Sequence, residues 1–488
     1  MPDLVLGLLL SEWDSKKEKP RYKALYSHIR QLILSGVLDG GCEMPPSRLL
    51  AERLSLSRNT VMQALDMLQG DGFLISRQGA GVFVNDNFQK PEFISTHAPE
   101  DIDLQVPTVS KRAEKWLVLA QDRHVGKNTQ AFAPGRTALD EFPFDKWARL
   151  LSRRWRLSGK KLAMVEDAMG YLPLRAHLAD HLSSTRGVRC HGDQIMIVSG
   201  AQQGLDVISR VLWEGGDRIV VEDPSFDGIA GVIEGAGAQL QPVPIDQNGI
   251  MLETLEDGHD VKSFIVTPSR NYPMGVTMSL QRRIELLRRA RSLGAWVVED
   301  DFDCDFRFDG PPLTSLQSLD QDGRVIYIGT FSRIVFPALR LGFLVLPEKL
   351  VPAFCAAKSF IDGHASILHQ AALADFMEEG AFTSHLRRMK KMYAQRRSFL
   401  TQKIEEMFHD TLEIVPADGG LHLCVFFKQH FNDVVFCVIL ADHGVTARPL
   451  SLYYRTKNKR YGLVLGFAGY DEKEMLDALH KIKKIIHS

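Results

Sequence analysis

Short apolar runs rich in Val, Ile and Phe recur at 195–198, 219–221, 263–266, 295–298, 325–328 and 343–346, and most of the stretches between them carry helical spacing. A strand with one wet face alternates apolar and polar residues, whereas an unbroken apolar run belongs to a strand buried on both faces. Strands of that kind joined through helices form a mainly parallel sheet covered on each side, which makes the chain α/β. Helical patterns then dominate from Pro352 to about Phe408. A smaller α/β unit closes the chain, with strands near 421–427 and 463–467.

Residues 327–346 read YIGTFSRIVFPALRLGFLVL. A buried strand enters, a loop carries Thr330, Ser332 and Arg333, and after Pro337 a second apolar run returns to the core. Ligands of α/β sheets sit at the carboxyl ends of strands, so Ser332 and Arg340 are placed to hold a phosphate; the alternative is an interface loop. Ser199-Gly200-Ala201-Gln202 follows the run at 195–198 and opens a helix, where small residues and the helix dipole favour an anion. Phe226, in EDPSF, is placed to stack on an aromatic ring or to pack in the core. Asp300 ends another strand, as a partner for a protonated ring nitrogen or as a buried ion-pair aspartate. Arg448, in ARPLSLYY, suits a carboxylate or an interface equally.

The first 86 residues have a different grammar. Leu25, Ile29, Leu32 and Ile33 recur at helical spacing up to Gly36; Ser47 is placed to cap a helix through Leu54, and Ser57 a second one from Arg58 to Leu68. Two short helices around a tight break suggest helix-turn-helix, and the alternating run at 73–84, with Gly79-Ala80-Gly81 at its middle, suggests a hairpin wing. Arg58, Asn59 and Thr60 then fall where a recognition helix presents side chains to base edges. Ser47 and Arg48 suit phosphate or groove contact, and the wing tip at Gly79 suits the neighbouring minor groove or backbone. Residues 1–84 hold ten Lys/Arg and nine Asp/Glu, a balance of +1, so DNA affinity has to come from local arginines and paired half-sites.

Residues 87–125 mix prolines, acidic residues and the charged run Lys111-Arg112-Ala113-Glu114-Lys115, which reads as a flexible tether with one or two helical turns at 111–119. The expected division is therefore a DNA-binding domain at 1–86, a linker at 87–125 and a large domain at 126–488. The chain of 488 residues is 45% hydrophobic and 24% charged, the balance of a globular protein. Cys42, Cys190, Cys304, Cys355, Cys424 and Cys437 show no metal-site spacing, which points to reduced thiols, a cytoplasmic protein and no structural metal. The apolar run at 4–10 lacks a basic lead and a cleavage site and is too short to span a bilayer, so no membrane partner is expected.

Residues 21–84, including MPPSRLLAERLSLSRNTVMQALDMLQGDGFLISRQGAGVFV, resemble the GntR-type winged helix. Residues 130–480 resemble the aminotransferase-like domain of MocR/GabR-type transcription regulators through GYLPLR, VSGAQQGLD, VEDPSF, VVEDDFDCDFRFDG, ADFMEEGAFTSHLRRMKKMYAQRR and TARPLSLYY. The resemblance implies a winged helix-turn-helix joined to a fold-type I domain of the pyridoxal-phosphate (PLP) enzymes. It also implies a head-to-tail homodimer with swapped winged helices, double-stranded operator DNA as partner, and a small-molecule effector. It assigns Ser199, Gly200, Ala201, Gln202, Ser332 and Arg340 to a phosphate, Phe226 to ring stacking and Asp300 to the pyridine nitrogen.

The chain departs from the family pattern at three places. Phe302 replaces a tyrosine aimed at the cofactor's phenolic oxygen, PSRNYPMG at 268–275 replaces PSHQxPTG, and Arg333 replaces the lysine that carries PLP covalently. A guanidinium stays protonated at physiological pH and is no amine nucleophile. No catalytic residue is therefore expected. Arg333, with Arg270, Asn271, Phe302 and Arg448, is expected to shape a pocket for PLP held noncovalently, a PLP–amino-acid adduct or a carboxylate. Two other expectations compete with this one: a working PLP-dependent aminotransferase with a vestigial DNA-binding module, and a constitutive regulator whose large domain only dimerises.

Overall fold

The computed structural model describes residues 2–11, 13, 20–77, 79–86, 108–121, 130–164, 167–255, 260–310, 313–429 and 431–486. The chain divides into two compact units, Met1–Thr108 and Val109–Ser488.

In the first unit α1 (Pro2–Ser11) and α2 (Arg21–Leu34) precede α3 (Ser47–Arg53) and α4 (Arg58–Gly70), and the antiparallel hairpin β1 (Leu74–Arg77) and β2 (Gly81–Val84) follows. The residues whose spacing predicts α2, Leu25, Ile29, Leu32 and Ile33, are the ones it buries. They share a core with Leu50, Val61, Leu65, Leu68 and Val84, and each such burial contributes about 1.5–3 kcal/mol. The apolar run at 4–10 lies within α1, which adds Val5, Leu6 and Leu9 to that core. Ser57 caps α4 by accepting from the Thr60 amide at 3.1 Å. Ser47 does not cap α3. It is the first helical residue, and Pro46, whose ring fixes φ in the extended entry conformation, takes the cap position.

The second unit holds an eight-stranded sheet of β3 (Ile195–Val198), β4 (Arg218–Asp223), β5 (Gln239–Asp246), β6 (Gly249–Ile250), β7 (Val261–Val266), β8 (Trp296–Asp300), β9 (Val325–Thr330) and β10 (Gly342–Val345), in the order β3-β10-β9-β8-β7-β4-β5-β6. Strands β9, β8, β7, β4 and β5 run parallel, while β10 is antiparallel to both β3 and β9. The loop between β9 and β10 is too short for a parallel crossover, so the chain turns back on itself there. Helices α5 (Lys111–Gln121), α6 (Phe144–Leu162), α7 (Leu172–Arg186), α8 (Ala201–Leu212) and α9 (Asp227–Ala236) belong to this unit. The helix Ala381–Phe408 leads to an antiparallel sheet of β11 (Leu412–Ile414), β12 (His422–Phe427), β13 (Arg448–Pro449) and β14 (Gly462–Gly466), ordered β11-β12-β14-β13.

Two elements differ from the sequence reading. Strand β5, QLQPVPID, contains Pro242 and Pro244 and is not foreseen as a strand. It survives because it lies next to the sheet edge, where β6 pairs only with Ile245 and Asp246 and no ladder needs the missing N–H groups. Of the expected tether, residues 87–107 and 122–125 lie outside the described residues, but Lys111–Gln121 is a full helix packed on α9. Among the described residues no helix is long and apolar enough to cross a membrane.

Candidate functional site

A cavity of about 250 Å³ opens at the carboxyl ends of β7, β8 and β9, where Thr267, Asp300 and Thr330 line it. Strand alternation decides which acid of the sequence Glu299-Asp300-Asp301 faces it. Glu299 points to the other side and accepts from the Leu316 and Gln317 amides at 2.8 Å each. Asp301 accepts from Arg186 at 3.0 Å and from the Tyr327 hydroxyl at 2.6 Å. Asp300 is left for the cavity, with its Oδ1 buried and without a hydrogen-bond partner. Burial pushes its carboxyl up to about 7; Asp301 and Asp303 add to the rise and Arg333 opposes it.

Ala201, Gln202, Ser332 and Arg340 line the same cavity. Ala201 and Gln202 open the 12-residue helix α8, and amides in a first helical turn have no intrahelical acceptor. Gly200, at φ 88°, brings the backbone against Arg340, since a Cβ there would lie 3.2 Å from the guanidinium. Arg340 is itself left-handed at φ 51° and donates to the Ser199 carbonyl at 3.1 Å. Ser332 Oγ is buried without a partner. Ser199 lines the neighbouring cleft rather than the cavity.

Arg333 lines the cavity as well. Phe331, Ile334 and Val335 anchor its loop in the core and leave Ser332 and Arg333 at the cavity. Gly135 makes room for the guanidinium: at φ 91°, a Cβ there would fall 2.6 Å from Arg333 Nη1. Phe226 and Phe302 both line the cavity, joined by Tyr272, whose ring meets them edge-on at 5.9 and 5.6 Å and whose hydroxyl lies 3.2 Å from that of Tyr453. Sequence reasoning missed Gly135, Thr267, Tyr272 and Pro337 as lining residues. Tyr272 lies inside the aberrant PSRNYPMG segment, of which the sequence reading assigns only Arg270 and Asn271 to the pocket.

Three expected effector residues lie elsewhere. Arg270 is buried away from the cavity, where it donates to the His422 carbonyl at 2.9 Å and sits 3.4 Å from Asp303. Its charge serves an internal pair: burial pushes Asp303 up to about 6 against the pull of Arg270 and Arg333. Asn271 is buried and donates to Glu222 at 3.0 Å and to the Pro224 carbonyl at 3.3 Å, which fixes the loop behind Phe226. Arg448 pairs in register with Val464 on the small sheet, outside the set that lines the cavity.

In the first unit Arg58 and Asn59 are exposed at the amino end of α4, and Thr60 is half-buried with its hydroxyl 2.8 Å from that of Ser57. Arg48 is exposed on α3 beside the half-buried Ser47, and Gly79, at φ 77°, is exposed in the hairpin loop. Arg77, not singled out from sequence, is fixed by Asp86 at 2.5 Å and by the Phe83 ring at 4.6 Å.

Residues 21–84 match the family described as bacterial regulatory proteins, gntR family, and residues 135–482 match aminotransferase class I and II. The chain is 35% identical to the probable rhizopine catabolism regulatory protein MocR of Rhizobium meliloti, over 96% of this chain and 94% of that one. It is 29% identical to the HTH-type pyridoxine biosynthesis transcriptional regulator PdxR of Corynebacterium glutamicum, over 95% of each. Kynurenine aminotransferase of Pyrococcus horikoshii, solved with PMP, superposes at a TM-score of 0.68 with 26% identity, over 80% of this chain and 98% of that one. A winged helix followed by an aminotransferase fold defines a DNA-binding transcription regulator built around an enzyme-like domain. The chain belongs to the MocR/GabR-type transcription regulators.

Proposed function

We propose that this regulator is a cytoplasmic homodimer whose aminotransferase-like domain, at 126–488, binds a small anionic ligand reversibly and does not transform it. The observation that carries the reading is a fixed cation, Arg333, in a cavity whose own polar atoms at Asp300 Oδ1 and Ser332 Oγ lack partners. Unpaired buried polar atoms are costly and are kept where a ligand satisfies them. Ser332, Arg340 and the first amides of α8 suit a phosphate, Phe226 offers a ring face, and the Asp300 carboxylate suits a protonated pyridine nitrogen. The residues present therefore fit PLP or a PLP–amino-acid adduct, and Arg333 adds a site for a carboxylate. PLP supplies an electron-accepting ring for amino-acid chemistry once joined to an amine. A guanidinium at 333 offers no such amine, so what this chain contributes is binding and orientation.

The winged helix, at 1–86, reads the operator in this proposal. Arg58, Asn59 and Thr60 contact bases; Ser47, Arg48 and the loop at Gly79 contact the backbone. The linker, at 87–125, carries each winged helix to the partner chain of a head-to-tail dimer. A ligand that binds two arrangements of the dimer unequally shifts operator affinity.

Full-length protein tested by equilibrium dialysis and thermal shift against PLP, pyridoxal and inorganic phosphate is expected to bind PLP and melt later with it. PLP is also expected to change affinity for DNA selected in vitro by at least about fivefold. Turnover of amino donors above a no-protein control would sink the reading and favour an active aminotransferase. Arg58→Ala is expected to weaken the selected DNA by about 10- to 100-fold while leaving the melting temperature unchanged. Equal affinity of variant and parent in a gel-shift titration would remove Arg58 from the base contacts.

A further inference from the structure

Helix α5, the helical part of the linker, borders a cleft of about 740 Å³ between α8 and α9. Trp116 Nε1 donates to the Gly231 carbonyl at 2.8 Å, and Lys115 Nζ lies 2.6 Å from Glu234. Gly235 leaves the notch the indole occupies, because a Cβ there would come within 2.8 Å of the Trp116 ring. All three contacts fall on one short helix, α9.

The other end of α9 belongs to the ligand cavity. Gln202 and Arg340 line both the cavity and the cleft, so these side chains partition the two spaces. Gln202 Nε2 donates to the Gly228 carbonyl at 3.0 Å. Gly228 is confined as well: a Cβ there would lie 2.2 Å from Gln202 Oε1 and 2.2 Å from the Phe226 ring. The first turn of α9 is therefore clamped by two groups that face the ligand, and its last turns carry α5.

We propose that α5 is a strap whose docking is coupled to ligand occupancy through Gln202, Phe226 and α9, so that the state of the pocket reaches the chain segment leading to the winged helix. The inference rests on the pocket being a reversible PLP site. A ring stacked on Phe226 beside Gln202 fixes the start of α9. A fixed α9 presents the Gly231 carbonyl, Glu234 and the Gly235 notch in one arrangement, the one α5 fits. Ligand binding and strap docking then favour one another by the same factor, since a coupling free energy is reciprocal.

Hydrogen–deuterium exchange on the full chain, with and without saturating PLP, reads the opening of 111–121. PLP is expected to slow exchange there by about fivefold or more. Trp116→Ala, from the strap side, and Gly235→Ala, from the α9 side, are expected to abolish the slowing and to weaken PLP in dialysis by the matching factor. Alanine is the better helix former at 235, so an unchanged or higher melting temperature shows that this variant is folded. PLP bound in dialysis with unaltered exchange at 111–121 overturns the strap and leaves the pocket reading standing. Absence of PLP binding in dialysis overturns both.

Discussion

Arg333→Lys is expected to turn a protein that releases all PLP after borohydride treatment and denaturation into one that retains it nearly stoichiometrically. The argument is local. Position 333 sits on a loop pinned by Phe331, Ile334 and Val335, so a lysine there starts from the same backbone point at the strand end. Lysine differs from arginine in having an amine that can lose its proton, and burial assists that loss. Gly135 leaves more room than the thinner side chain needs. Intact-mass spectrometry after reduction distinguishes the two proteins. Covalent retention by the parent protein would mean that another residue supplies the amine, and the non-enzymatic reading would fall.

Asp300→Asn is expected to stabilise the ligand-free protein and to weaken PLP by about 30-fold, the loss of one hydrogen bond between charged groups. The two effects share a cause. In the folded state burial raises the Asp300 carboxyl from the usual carboxylate range to about 7. The folded state then holds a proton that the unfolded chain has released, so this residue costs stability increasingly from about pH 4 to about pH 7 and by a constant amount above. Asparagine removes that cost. The gain in melting temperature should be near zero at pH 4, grow through pH 7 and level off at about 3 °C or more by pH 8. Calorimetry at three pH values checks it. A variant that melts earlier than the parent at pH 8 would show that Asp300 is paired in solution, and its role as a waiting ligand partner would be lost.

Much of the large unit is written in local sequence, because apolar runs of three or four residues, rich in Val and Ile and set between helical stretches, are too short for buried helices and too continuous for amphipathic strands. The spacing of Leu25, Ile29, Leu32 and Ile33 likewise announces α2. Strand β5 is hidden because Pro242 and Pro244 are tolerated only for a positional reason, proximity to the sheet edge. Helix α5 is legible only as one or two turns at 111–119, and its full length and docking are not, because what holds it, the Gly231 carbonyl, Glu234 and Gly235, lies more than a hundred residues away. The site divides in the same manner. Asp300, Ser332, Arg333 and Arg340 are legible because strand ends and the turn after β9 place them at the cavity. Arg270 is not, since residue type gives a charge but not the direction in which it points: its head turns to Asp303 and the small sheet. Gly135 and Thr267 contribute space and a short side chain, which leave no mark in a sequence read for charge and aromaticity.

The bare backbone at 135 limits what can be exchanged around it. At φ 91° a side chain there is strained whatever stands opposite, and its Cβ would come within 2.6 Å of Arg333 Nη1. Glycine leaves space for a slim lysine or a forked guanidinium at 333 alike, so returning an amine to that loop demands no second change.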